Sequence, residues 1–321
     1  MKNSSIYYSV GALLYCPANR ETIAASIIGQ QFGRRFSLAL CLEDTIGDAH
    51  VEEAERCLKA SVCQIRHTME HAAFYVPKIF IRVRCPKQIG RIIRLLGEDE
   101  ALITGFIIPK FSPENADAYI QQVITANEQL ARTLYLMPIY ESACLIDLRS
   151  RYDVLYTLKE KLSHVEELVL NIRVGGNDLC HLFSFRRHVD ESIHRIRPVA
   201  DIFSDILTVY GMDYVVSGAV WEYYSGSGWK EGLISELADD KLCGFTGKTV
   251  IHPNQIPVVN NAYAVTQKDY DDAQNILQWD SHSPFAVCAS STRERMNEQK
   301  THANWAKKIV FLANTYGIRQ P

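Results

Sequence analysis

The chain has 321 residues, 47 % of them hydrophobic and 22 % charged, with a formal net charge of −3. This is the mixture of a globular chain with a substantial core. It excludes the basic footprint of a nucleic-acid-binding domain, and no apolar run approaches the 18 residues of a membrane-spanning helix.

The opening "MKNSSIYYSVGALLYCPANR" lacks the uninterrupted apolar core of a signal peptide. Short apolar, β-branched runs then recur, each followed by a polar or glycine turn and a longer amphipathic segment. The predicted strands are 10–15, 37–43, 78–84, 105–110, 134–139, 168–175, 214–218 and 247–253. Most do not alternate polar with apolar, as expected of strands buried on both faces. Between them, "NRETIAASIIGQQF" reads as a helix with Asn19 at its cap and Glu21 in its first turn. "SPENADAYIQQVITANEQLA" places Ser112 at a cap and Pro113 at the first helical position. "DLRSRYDVLYTLKEKL" and "GWKEGLISELADDKL" carry apolar residues at spacings of three and four. Eight such alternations in about 265 residues fit a (β/α)8 TIM barrel. An open doubly wound sheet is disfavoured because neither G-x-G-x-x-G after the first strand nor a P-loop occurs. The chain divides into a barrel domain, 1–264, and a C-terminal helical extension or lid, 265–321, two helices joined by "SHSPFAVCASS". The nine cysteines form no C-x-x-C pair and are scattered through the chain. They predict reduced thiols in a cytoplasmic protein, not a disulfide framework or a structural zinc site.

A barrel of this kind builds its site at the C-terminal strand ends, and charged residues gather there. Strand 2 ends in Glu43 and Asp44, strand 3 carries Arg82 and Arg84, and strand 4 ends in Lys110. Glu141 follows strand 5, Asp178 strand 6 and His252 strand 8. Each has a plain structural alternative: Glu141 and Asp178 as helix caps, Arg82 and Lys110 as rim ion pairs, His252 bonded to a backbone carbonyl. Yet Glu141 and Asp178 stand one strand–helix unit apart. On neighbouring strands, roughly 5 Å apart, the two carboxylates repel unless a cation lies between them. Mg2+ suits them, since it takes oxygen ligands and needs only one or two protein carboxylates.

In these motifs the chain resembles the citrate lyase β-subunit-like proteins of the HpcH/HpaI aldolase family, in the divergent branch found with tellurium-resistance gene clusters. The resemblance is carried by "LLYCPANRE", "LALCLEDTIGD", "IFIRVR", "FIIPK", "MPIYES", "VGGNDL" and "GFTGKTVIHPNQI", in order, over roughly residues 10–260. It implies Mg2+ on Glu141 and Asp178 and a substrate carboxylate or carbonyl held by Arg82. It also implies Claisen-type carbon–carbon bond cleavage or formation, often on a coenzyme A thioester, in a homo-oligomer whose C-terminal segment covers a neighbouring site. On this reading Arg82, with Arg84 or Lys110, stabilises the enolate, and Glu43, Asp44 or a metal-bound water is the base. Arg20 and His252 complete the substrate contacts. The substrate is a small anion, a 2-oxo or hydroxy acid or its acyl-CoA.

Departures from the family pattern redraw the pocket. Arg84-Cys85 replaces the family's Asn-Gly, Cys144 replaces an arginine, and Cys41 replaces an acid. The runs "SFRRHVD", "HRIRP" and "VWEYYSGSGW" point to an anionic, phosphorylated or nucleotide-like substrate. Two further readings stand beside the lyase: a non-catalytic ligand-binding protein on a retained barrel, and a pyruvate-enolate aldolase that does not use coenzyme A.

Overall fold

The computed structural model describes residues 4–280 and 284–319. Eight parallel strands follow the predicted runs: β1 (Ala12–Pro17), β2 (Phe36–Cys41), β3 (Lys78–Arg82), β4 (Ile103–Ile108), β5 (Tyr135–Tyr140), β6 (Ile172–Val174), β7 (Val216–Ser217) and β8 (Lys248–Val250). They pair in the order β7-β6-β5-β4-β3-β2-β1-β8. The sheet closes where Gly218 bridges Lys248 in parallel, with the Gly218 N–H donating to the Gly247 carbonyl at 3.0 Å. The expected (β/α)8 barrel is therefore the fold.

Each strand is covered on both faces, which accounts for its unalternated sequence. One face meets the helices: α1 (Ile23–Ile28), α2 (Val51–Met69), α3 (Pro86–Leu96), α4 (Ala116–Leu130), α5 (Arg151–Ser163), α6 (Gly176–Leu182), α7 (Arg197–Tyr210), α8 (Trp229–Cys243) and α9 (Gln255–Tyr263). The other face fills the barrel with Leu13, Ala39, Phe80, Ile107 and Met137, and Ile6 and Tyr7 pack against this cluster from before β1. A packed interior leaves only the upper rim for a site.

Two helix starts differ from expectation. Helix α1 begins at Ile23 after Thr22, so Asn19 and Glu21 lie in the turn before it. Helix α4 begins at Ala116 with Asn115 at its cap position. Asn115 Oδ1 accepts the Ser112 N–H at 3.0 Å, turning Ser112–Asn115 into a closed loop ahead of the helix.

The two C-terminal helices are present as α10 (Gln267–Leu277) and α11 (Ala303–Tyr316). Between them Val287–Ala289 and Met296–Glu298 pair as an antiparallel hairpin; residues 281–283 of the predicted joining stretch lie outside the described residues. Helix α11 packs at the lower end of the barrel. Phe311 stacks on Tyr8 at 5.0 Å, the Arg35 guanidinium donates to the Tyr316 carbonyl at 2.6 Å, and the Tyr316 ring sits beside Gly11 and Gly247. These contacts precede β1, β2 and β8, so the extension lies opposite the acidic rim of its own barrel.

Candidate active site

The site is built around Arg82, the last residue of β3. Its side chain is buried, and one nitrogen, Nη2, faces three carboxylates: Glu43 at 2.8 Å, Asp44 at 2.9 Å and Glu141 at 3.2 Å. Lys110, just beyond β4, donates from Nζ to Glu43 at 2.7 Å and Asp44 at 3.1 Å. Its φ of +48°, unusual for a residue with a side chain, accompanies a backbone N–H aimed at Glu141 Oε1, 3.0 Å away. Four strand ends are thus tied together by charge-assisted hydrogen bonds.

The three carboxylates are not equivalent. Both oxygens of Glu43 are engaged, Oε1 by Lys110 and Oε2 by Arg82 and the Asp44 N–H. Burial acts to raise the Asp44 pKa, but its bond with Glu43 and the nearby Arg82 and Lys110 outweigh that and hold it below the usual range. Glu141 is the opposite case. Burial is the main cause of a pKa pushed up to about 8, and Asp178 adds to it against the pull of Arg82. A buried carboxylate made harder to ionise by a second carboxylate is a site short of positive charge.

Asp178 sits in the first turn of α6, two residues after the second of the paired glycines. The glycines are there for room. A Cβ on Gly175 would fall 2.1 Å from Glu141 Oε2, and one on Gly176 would fall 2.5 Å from Ile193 Cδ1. Only a bare backbone lets β6 pass Glu141 so closely. The donor set fits a hard divalent cation: two carboxylates, with no thiolate or imidazole among them.

A cavity of about 270 Å³ opens above these groups, lined by Asp44, Arg82, Glu141, Asp178, Tyr15 and Arg173 among others. Glu43 and Lys110 bond to Asp44 and are not part of the lining. Three other expected contacts lie elsewhere. Arg84, beyond the end of β3, turns outward to Asp48 at 2.6 Å and the Ile46 carbonyl at 2.9 Å. Arg20 is exposed and donates to Thr22. His252 stacks on Tyr224 at 4.7 Å, its pKa lowered by burial and then by Arg20, so it is a neutral ring outside the cavity lining. The basic runs also have other partners: the buried Arg187 pairs with Glu236, and the exposed Arg186 lies 3.7 Å from Glu222. Reading from sequence passed over Tyr15, Thr249 and Arg173, which line the cavity from β1, β8 and β6. The available signal was an arginine inside the apolar run "LVLNIRVG", costly to bury without a purpose.

The model of a family described as carbon–carbon bond lyases of the TIM-barrel fold matches residues 4–318. The chain belongs to that family. Among curated relatives, the citrate lyase β subunit of Haemophilus influenzae is 42 % identical over 55 residues, 17 % of this chain and 19 % of that protein. The Escherichia coli K12 citrate lyase β subunit is 40 % identical over 55 residues, 17 % and 18 % of the two chains. The match spans about a fifth of the curated relatives' length. In fold, the chain resembles the Mycobacterium tuberculosis protein CitE in complex with magnesium, acetoacetate and coenzyme A (TM-score 0.60, 20 % identity, 96 % of this chain and 99 % of that one). It also resembles the citrate lyase β subunit of that organism complexed with oxaloacetate and magnesium (TM-score 0.53, 21 % identity, 81 % and 99 %). The resemblance read from the sequence motifs is borne out at the level of family and fold.

Proposed function

We propose that this chain is a Mg2+-dependent lyase that breaks, or in reverse forms, a carbon–carbon bond next to the carbonyl of a small carboxylic acid. One observation carries the reading: Glu141, buried and raised in pKa, has one oxygen committed to Arg82 and Lys110 and the other beside a glycine gap that leads to Asp178. These two carboxylates would hold the metal, which supplies positive charge and Lewis acidity toward a substrate carboxylate and its neighbouring oxygen. The magnesium, oxaloacetate and acetoacetate named for the fold relatives agree with this chemistry.

The chain's own residues account for the rest. Asp44 lines the cavity and is held ionised, so it is the carboxylate placed to accept the proton of a substrate hydroxyl. As that O–H electron pair forms a carbonyl, the adjacent carbon–carbon bond breaks and its electrons become the enolate of the departing acid. Arg82, which lines the cavity, neutralises that charge. Glu43, held at both oxygens, positions Arg82 and Lys110.

The cavity is below the roughly 300–1,000 Å³ usual for larger ligands, which favours a free 2-oxo or hydroxy acid at its centre; any coenzyme A portion would lie outside it. No helix among the described residues is long and apolar enough to cross a membrane, and free cysteines throughout suit a reducing, cytoplasmic setting. The reading includes a homo-oligomer: the extension lies away from its own site and is free to border a neighbouring copy's. Titration of Mg2+ into the wild type and Asp178→Ala tests the metal reading: binding lost in the variant supports it, and binding unchanged sinks it. Turnover of 3-hydroxy acids with Mg2+ separates the lyase from a protein that only binds.

A further inference from the structure

Among the described residues, five lysine or arginine side chains are buried: Arg82, Arg151, Arg173, Arg187 and Lys248. Four have carboxylate partners. Arg82 has three, Lys248 has Glu236 and Asp240, Arg187 has Glu236, and Arg151 has Asp205. Arg173 has none among the described residues. It is 1 % exposed, yet its Nη1 donates to the Asn171 amide oxygen at 3.3 Å and its Nη2 to the Thr249 hydroxyl at 2.5 Å. Its Nε is buried with no hydrogen-bond partner among the described residues.

Tyr15, the charged form of which would answer Arg173, is a neutral phenol, because burial pushes its pKa up to about 12. Arginine itself stays protonated in proteins. A guanidinium shut away from water without a counter-ion is strongly disfavoured unless something supplies the charge. The place for it is adjacent: Arg173, Thr249 and Tyr15 all line the cavity that Arg82, Glu141 and Asp178 line from other strands. The Arg82 guanidinium lies 5.8 Å from the Tyr15 ring centre, so the tyrosine stands between the two cations.

We propose that Arg173 receives a second carboxylate of the substrate, making the ligand a short dicarboxylate. One end, with its 2-oxo or hydroxy oxygen, faces Glu141, Asp178 and Arg82; the other is held by the Arg173 guanidinium where it lines the cavity, with the Thr249 hydroxyl beside it. The assignment of the first end rests on the proposed metal site; the assignment of the second rests on Arg173 alone. A guanidinium edge matches a carboxylate with two parallel hydrogen bonds. A monocarboxylate would leave Arg173 buried and unpaired, and a site built for a charged group rejects the analogue lacking it.

The test is calorimetric binding of malate and lactate, which differ by one carboxylate, to the full-length protein with and without Mg2+. The wild type is expected to bind malate about ten- to hundredfold more tightly than lactate. Arg173→Met should remove that preference while leaving lactate and Mg2+ affinity unchanged, and Arg173→Lys should keep part of it. Equal binding of the two acids by the wild type, no binding of either, or a preference that survives in Arg173→Met overturns the proposal. Mg2+ titrated alone reports on the metal reading separately. A malate preference without Mg2+ binding would uphold Arg173 and reject Glu141–Asp178.

Discussion

Lys248 and Arg173 are both cations buried within the barrel strands, on β8 and β6, and their surroundings could hardly differ more. Lys248 points toward α8 and lies 2.9 Å from Glu236 and 2.6 Å from Asp240; Arg187 and His194 bind the same two acids from the other side. Every charge there is answered within the chain. Arg173 points into the cavity and meets an amide, a hydroxyl and a neutral phenol. Similar burial thus serves opposite ends: the first network ties β8 to its covering helix, and the second leaves a charge for something outside the chain to satisfy.

The comparison can be broken in several ways. The largest effect is expected from Lys248→Met. It leaves Glu236 and Asp240 short of a buried partner and should cost about 3–5 kcal/mol, read from urea unfolding. Next, Glu141→Gln should lower turnover about a hundred- to a thousandfold and abolish Mg2+ binding, with stability little changed. A folded variant that binds Mg2+ normally would remove Glu141 from the site. Gly175→Ala places a methyl against the Glu141 carboxylate and should weaken Mg2+ about ten- to hundredfold by calorimetry, through displacement of a ligand that is itself unmutated.

Arg173→Met strips no carboxylate of its partner and is expected to change ligand-free stability by only about 1 kcal/mol. A loss as large as that of Lys248→Met would mean that Arg173 is structural after all. The smallest effect concerns pH. Burial acts to raise the Glu236 pKa, but Lys248 and Arg187 hold it below the usual range. A carboxylate depressed in the folded state contributes stability that is present above its unfolded pKa, about 4.3, and lost as pH falls through the folded value. The stability gap between wild type and Lys248→Met should therefore narrow by about 1 kcal/mol as pH drops from about 5 to about 3, in urea midpoints taken across that range. A gap that widens on acidification contradicts the pairing.

Much of this was legible in the sequence, for physical reasons. Strands buried on both faces have to be apolar runs, and a closed barrel puts its chemistry at their C-terminal ends. Glu43, Asp44, Arg82, Lys110, Glu141 and Asp178 could therefore be placed on one rim from the sequence. What the residue types do not encode is direction and pairing. Arg84 shares the parity of Arg82, but β3 ends at Arg82, and the released chain turns Arg84 outward to Asp48. Arg187, in a basic run that suggested ligand binding, is taken by Glu236. Conversely, Arg173 was hidden because one charge in an apolar strand does not disrupt the strand pattern. Its meaning comes from the absence of a nearby carboxylate, which only the folded chain can reveal. Nor does "VGGNDL" say what its glycines make room for: Gly175 clears the Glu141 carboxylate, which comes from a different strand, and Gly176 clears Ile193 and Ala219.

The most direct test of the central claim is a crystal structure of the protein soaked with Mg2+ and oxaloacetate. The account predicts an octahedral ion bonded to Glu141 and Asp178, with the 2-oxo carboxylate on that ion beside Arg82 and the far carboxylate against Arg173. An ion bound instead only at an exposed cluster such as His67, Glu70 and His71, or a ligand that leaves Glu141 and Asp178 untouched, would contradict it.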